Sequence, residues 1–341
     1  VRALVLEQLT DLAADREPLR SRDLPVPSPG EGEILIRVTA CGVCRTEIEE
    51  IEGRAAPGLP VVPGHQVVGT VELSGPGAGR FRTGDRVGVG WIYSACGECG
   101  YCTGGLENLC RQFRATGMDA DGGYAEYMVA EEEFAVPLPE ALDDFETAPL
   151  LCAGAIGYRS LRLTGLGNGD RIGLTGFGGS GHLVLKMIRH KFPDADVFVF
   201  ARNPEERSFA MELGAAWAGD ISGPCPERMQ AIIDTTPAWN PVVESLKKLA
   251  PGGRLVINAI RKENADRETL LQLDYQEHLW REKEIKSVAN VTRADIAGML
   301  DLAAASGIRP DYLLYPLPEA NRALRELKTG GIRGAKVLQI R

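Results

Sequence analysis

Two hydrophobic periods divide the chain. Up to about residue 150, short apolar runs such as GEILIRVTACGVC and FRTGDRVGVGWIY are cut by Gly, Pro and Asp turns, the pattern of β-strands. No long amphipathic helix interrupts them. From about residue 153 the pattern changes. DRIGLTGFGGSGHLVLKMIRHKF reads as an apolar strand, a glycine turn and a helix with Leu183, Val184, Met187 and Ile188 on one face. DVFVFA predicts a strand, and NPEERSFAMELG a helix opened by Asn203 and Pro204. QAIIDTTP, NPVVESLKKLAPGG and RLVINAI continue the alternation, which predicts a parallel, doubly wound sheet. The tail adds two helical patterns, RADIAGMLDLAAASG and LPEANRALRELKTG, and a closing strand AKVLQI. The expected fold class is α/β, with a β-rich part and a doubly wound part.

Composition narrows the function more than the fold. The 341 residues are 44% hydrophobic and 25% charged, ordinary for a globular protein of two domains. A formal charge of −9 argues against nucleic acid and anionic membranes as partners. No apolar run approaches the ~18 residues that span a bilayer. The first stretch, VRALVLEQLTDLAADREPLR, turns acidic too early to read as a signal peptide. The cytoplasm is the expected compartment.

In a reducing compartment eight cysteines are poor candidates for disulfides, so a cluster of them points to metal. Cys96, Cys99, Cys102 and Cys110 fall within CGECGYCTGGLENLC. Four thiolates suit tetrahedral Zn²⁺, and a closed Cys₄ shell leaves no room for substrate. Such a zinc is structural. A disulfide pair or idle thiols are the plainer alternatives, disfavoured by the short spacings. An iron–sulfur cluster fits the cysteines alone, but nothing else in the chain suggests electron transfer.

Gly176, Gly178 and Gly181 form G-x-G-x-x-G, with Gly179 as an extra glycine. Following a strand and opening a helix, this pattern predicts a dinucleotide site, with the pyrophosphate against the helix N-terminus. A glycine-rich turn with no ligand is the alternative. Cys41, Cys44 and Cys152 remain, besides Cys225 in a polar stretch, and His65 stands in VVPGHQVVGT. Two of these cysteines with His65 would make a Cys₂His set with one open position, the arrangement of catalytic zinc.

These motifs occur together and in order, and on them the chain resembles the zinc-dependent medium-chain alcohol dehydrogenases over nearly its whole length. The resemblance rests on CGVCRTE, PGHQ, PLLCAG, GFGGSG and the four-cysteine lobe. It implies that Cys44, His65 and Cys152 hold catalytic zinc and that the Cys₄ set holds a second ion, with Cys41 a buried strand thiol. It implies a GroES-like domain over 1–153 and 294–341, whose zinc lobe covers about 91–113. A Rossmann domain would fill 154–293, with the active site in the cleft between them.

The implied reaction is reversible oxidation of small alcohols by hydride transfer to NAD(P) in a homodimer or homotetramer. Thr46 would pass on the alcohol proton, and Arg45 would meet the cofactor pyrophosphate. Trp91 would wall the alcohol pocket and favour small primary alcohols. Glu47 stands where the family usually has Asp, Gln66 where an acid follows the histidine, and Glu49 where a terminal proton acceptor is often His. Ala201, followed by Arg202, replaces the acid that NAD-dependent relatives place after the second Rossmann strand. With Arg207 assisting, that implies NADP over NAD. A zinc polyol dehydrogenase and a non-enzymatic zinc- and dinucleotide-binding regulator are the alternatives.

Overall fold

The computed structural model describes residues 1–330 and 334–341, which form two compact units. One comprises Val1–Ala155 and Val291–Arg341, the other Ile156–Asn290.

The first unit is built on a seven-stranded sheet whose long central strand, Glu33–Val43, pairs antiparallel with Val67–Ser74, Tyr127–Glu131 and Ala335–Gln339. Ile34, Ile36 and Val38 are fully buried and pack with Val67, Val71, Val87 and Leu338. Burying each such side chain contributes about 1.5–3 kcal/mol, which locks the register. The strand delivers its last residues, Gly42 and Val43, to the start of the helix Arg45–Ile51. Seven residues are too few for an independent helix. Ile48 and Ile51, both fully buried, anchor this one in the core.

The second unit carries six strands, all parallel, in the order Trp217–Gly219, Asp196–Phe200, Arg171–Thr175, Met229–Asp234, Leu249–Ile257, Glu284–Ser287. Ile172, Leu174, Val197, Val199 and Ile232 are inaccessible. A parallel sheet covered on both faces needs such unbroken apolar strands, which is why VFVF and AIID do not alternate. Leu183, Val184, Met187 and Ile188 form the buried face of the helix Gly181–Lys191. The helix Pro204–Glu212 opens as its sequence predicts, with the Asn203 side chain accepting the Glu205 N–H at 2.9 Å. Among the described residues no helix is long and apolar enough to cross a membrane.

Candidate active site

Two backbone features bring Cys44 and His65 together. The Gly42 N–H donates to the Gln66 carbonyl at 2.9 Å, tying the strand end to the loop that bears the histidine. A Cβ on Gly42 would lie 2.8 Å from the Gln66 side chain, so only glycine allows that approach. Cys152 arrives from another direction, on a π-helical turn Leu150–Gly154 between the helices Asp144–Pro149 and Ala155–Thr164. A widened turn of this kind is common where a helix must aim a functional side chain. The three ligand atoms lie within 4.8 Å of one another, with His65 Nε2 3.3 Å from Cys152 Sγ.

Glu47 fixes this arrangement. Cys44 caps the helix Arg45–Ile51, and Glu47, at the third helical position, reaches back to accept the Cys44 N–H at 2.7 Å. Its other oxygen, Oε1, lies 2.6 Å from His65 Nδ1, which leaves Nε2 to face the thiols. Burial alone would lower the pKa of His65, but Glu47 and Cys44 outweigh it and hold it well above the ordinary value. The thiol of Cys152 hydrogen-bonds Cys44. Cys44 is thereby pushed well below the usual thiol range, and Cys152 is driven up by the same bond and by burial. Cys41, inaccessible in its strand, is pushed up by burial. It is not part of the set.

The four-cysteine lobe is a second constellation. The sulfurs of Cys96 and Cys110, Cys99 and Cys102, and Cys96 and Cys102 are 3.5, 3.6 and 3.8 Å apart. A tetrahedron of sulfurs about 2.3 Å from zinc has edges of about 3.8 Å, so the spacing fits the ion and is far too long for disulfides. All eight cysteines are free. The Cys99 N–H donates to Cys96 Sγ at 3.3 Å, and such amides hold Cys96 down to about 7. Glu107, at the rim of the lobe, accepts the Arg293 N–H at 2.8 Å and ties it to the helix Arg293–Ser306.

In the second unit, Gly176 adopts φ +80° against Thr235, whose Oγ1 would lie 2.6 Å from an added Cβ. The protein's own packing therefore demands that glycine. A Cβ on Gly178 would meet nothing within 4 Å, so the space beside it stays open for a ligand, as a pyrophosphate site requires. Gly179 is half-buried beside it.

Known proteins share these features. Residues 30–140 match the alcohol dehydrogenase GroES-like domain. A probable alcohol dehydrogenase of Mycobacterium tuberculosis is 43% identical over 96% of this chain and 94% of its own length. The chain belongs to the zinc-dependent medium-chain alcohol dehydrogenase family. An alcohol dehydrogenase of Geobacillus stearothermophilus is 33% identical over 96% of this chain and 97% of its own length. Among solved structures, an NAD-dependent alcohol dehydrogenase superposes with a TM-score of 0.88 at 25% identity, covering 100% of both chains. A cinnamyl alcohol dehydrogenase of Sorghum bicolor gives 0.85 at 26%, covering 99% of this chain and 97% of its own. The fold is accordingly a GroES-like domain with a Rossmann domain.

Other residues singled out by the family resemblance fall as follows. The Thr46 hydroxyl is buried, 3.5 Å from Cys44 Sγ. Glu49 is held by Arg54 through two bonds of 2.5 and 3.0 Å, with Arg45 at 3.7 Å. Both guanidinium groups reach its carboxylate, so Glu49 sits in an ion-pair network. Arg45 shares that network. Gln66 is buried against Gly42. Trp91 is half-buried, its ring 5.1 Å from Phe113. Ala201 is buried, Arg202 exposed and Arg207 half-buried.

Sequence reading overlooked Glu50. It is 1% exposed, and among the described residues neither carboxylate oxygen has a hydrogen-bond partner. Glu47 and Glu50 stand three residues apart on one short helix, a spacing that puts both on the same face and could have revealed the pair.

Proposed function

We propose that this protein interconverts alcohols and aldehydes or ketones by hydride transfer with a nicotinamide dinucleotide. The observation that carries this reading is the convergence of Cys44, His65 and Cys152, with Glu47 aligning the histidine. Held by those three ligands, a zinc ion would supply the Lewis acidity that lowers an alcohol's pKa or polarises a carbonyl. A nicotinamide dinucleotide at the glycine turn would accept or return the hydride.

The chain's own groups do the rest. With zinc bound, Cys44 and Cys152 would be thiolates that balance the dication and His65 would be neutral, and three protein ligands would leave a fourth position for oxygen. Glu47 keeps His65 Nε2 directed at the metal. Thr46 holds its hydroxyl 3.5 Å from Cys44 Sγ, where it can accept the alcohol proton and pass it on. Trp91 narrows the pocket toward small primary alcohols. Ala201 offers no carboxylate to repel a 2′-phosphate, and exposed Arg202 offers donors to one, which favours NADP over NAD.

The Cys₂His set favours this reading over a regulator without catalysis, which needs no open zinc site. The test is an initial-rate panel of short, branched and aromatic alcohols with both nicotinamide cofactors, run on wild type and Trp91→Ala. Turnover of primary alcohols supports the reading, and the variant should gain kcat/KM for larger alcohols relative to ethanol. No turnover with any alcohol by zinc-replete protein would refute it.

A further inference from the structure

At the carboxyl ends of the parallel strands, beside the glycine turn, lies an ion pair that neither zinc chemistry nor the glycine motif accounts for. Asp234, the last residue of the strand Met229–Asp234, is inaccessible, and the Lys262 side chain is 9% exposed. The Lys262 ammonium donates to the Asp234 carboxylate, to the Thr236 carbonyl at 2.7 Å and to the Ala238 carbonyl at 2.9 Å. All three of its hydrogens have protein acceptors, so Lys262 is not a free cation for phosphate. The other Asp234 oxygen accepts the Thr175 hydroxyl at 2.5 Å, the Thr236 N–H at 3.1 Å and the Thr236 hydroxyl at 2.8 Å.

This network draws two loops onto the glycine turn. Thr175 ends the strand that leads into Gly176. Thr235 donates its N–H to the Thr175 carbonyl at 3.0 Å, and its hydroxyl to the same carbonyl at 2.8 Å. An added Cβ on Gly176 would strike Thr235 and Thr236, so residues 235 and 236 form the wall of the turn. The second loop, after the strand Leu249–Ile257, is held by Asn258 N–H to the Asp234 carbonyl at 2.9 Å and Glu263 N–H to the Pro237 carbonyl at 2.7 Å. Lys262 lies on that loop and reaches across to the first.

A buried ion pair is a poor source of stability, since neutral residues of similar volume often replace one without loss. Its directed bonds fix geometry instead. Ligands of doubly wound sheets bind in the crevice at the carboxyl ends of the strands, which is where these loops stand. We propose that Lys262 and Asp234 are positioning residues for the dinucleotide, holding residues 235–238 in the shape that shapes the glycine turn. The inference rests on the dinucleotide reading of that turn.

The test measures dissociation constants for NADH and NADPH by fluorescence titration, together with melting temperature and bound zinc. Lys262→Met should weaken the preferred dinucleotide roughly tenfold or more, in line with loss of a charged hydrogen-bond donor, and leave zinc content at the wild-type level. In Asp234→Asn with Lys262→Met no lone charge is buried, so melting temperature should recover while affinity stays weak. That split separates positioning from mere stability, and the double variant carries the test where Lys262→Met alone fails to fold. Wild-type affinity in the folded double variant would overturn the proposal. Wild-type protein that binds neither dinucleotide would overturn the dinucleotide reading and this inference with it.

Discussion

Glu47 Oε1 lies 2.6 Å from His65 Nδ1, and both side chains are buried. The same carboxylate accepts the Cys44 N–H, so one residue orients two of the proposed zinc ligands. One glutamate side chain thus spans both the helix N-terminus and the histidine ring. Glu47→Gln should weaken catalytic zinc about 10- to 100-fold in chelator competition and leave the Cys₄ ion in place. An unchanged release rate would remove Glu47 from the metal's support.

Glu50 supplies a pH signature. Burial, reinforced by Glu47, raises its carboxyl well above the usual carboxylate range, and His65 opposes the shift. An acid whose folded pKa is raised binds more protons folded than unfolded. Its contribution to stability is therefore complete below about pH 4.5 and is lost as pH rises through the raised folded value. In metal-stripped protein, Glu50→Gln should flatten the decline of melting temperature with rising pH. A parallel decline in wild type and variant would contradict this account of Glu50.

Thr46 and Glu49 should separate cleanly. Thr46→Val removes the hydroxyl beside Cys44 and should cut turnover about 10²- to 10⁴-fold, while Thr46→Ser keeps most of it. Glu49→Gln should leave the pH–rate profile unmoved, because Arg54 already occupies the carboxylate. A Glu49→Gln profile that loses one limb would restore Glu49 to the proton path.

The proposed preference for NADP rests on Arg202, which is exposed. Arg202→Ala should lower kcat/KM for NADPH roughly tenfold while changing that for NADH little. Equal losses for both cofactors would refute the assignment.

The elements that position these groups differ in how far the sequence reveals them. The strands Asp196–Phe200 and Met229–Asp234 and the helix Gly181–Lys191 are legible because burial on one or both faces imposes an apolar pattern. The four cysteines of the lobe are legible because their ligands are close in sequence. Cys44, His65 and Cys152 come from three distant segments, so residue types alone suggest a Cys₂His set and the family resemblance is what picks Cys44 over Cys41. The inward placement of Glu49, Glu50 and Lys262 is hidden in the sequence for a related reason. A charged residue in a polar-looking run reads as surface, and only tertiary packing turns it inward.

Zinc stoichiometry measured alongside turnover tests the central claim most directly. Wild type should hold two zinc ions per chain, one in each cysteine constellation. Cys152→Ser should hold one, keep its fold and lose alcohol oxidation, because the Cys₄ lobe retains its own ion. Cys99→Ser should instead lose melting temperature or solubility along with the structural ion. A Cys152→Ser protein that kept near-normal turnover, or that still bound two zinc ions, would contradict the assignment of Cys44, His65 and Cys152 as the catalytic metal site.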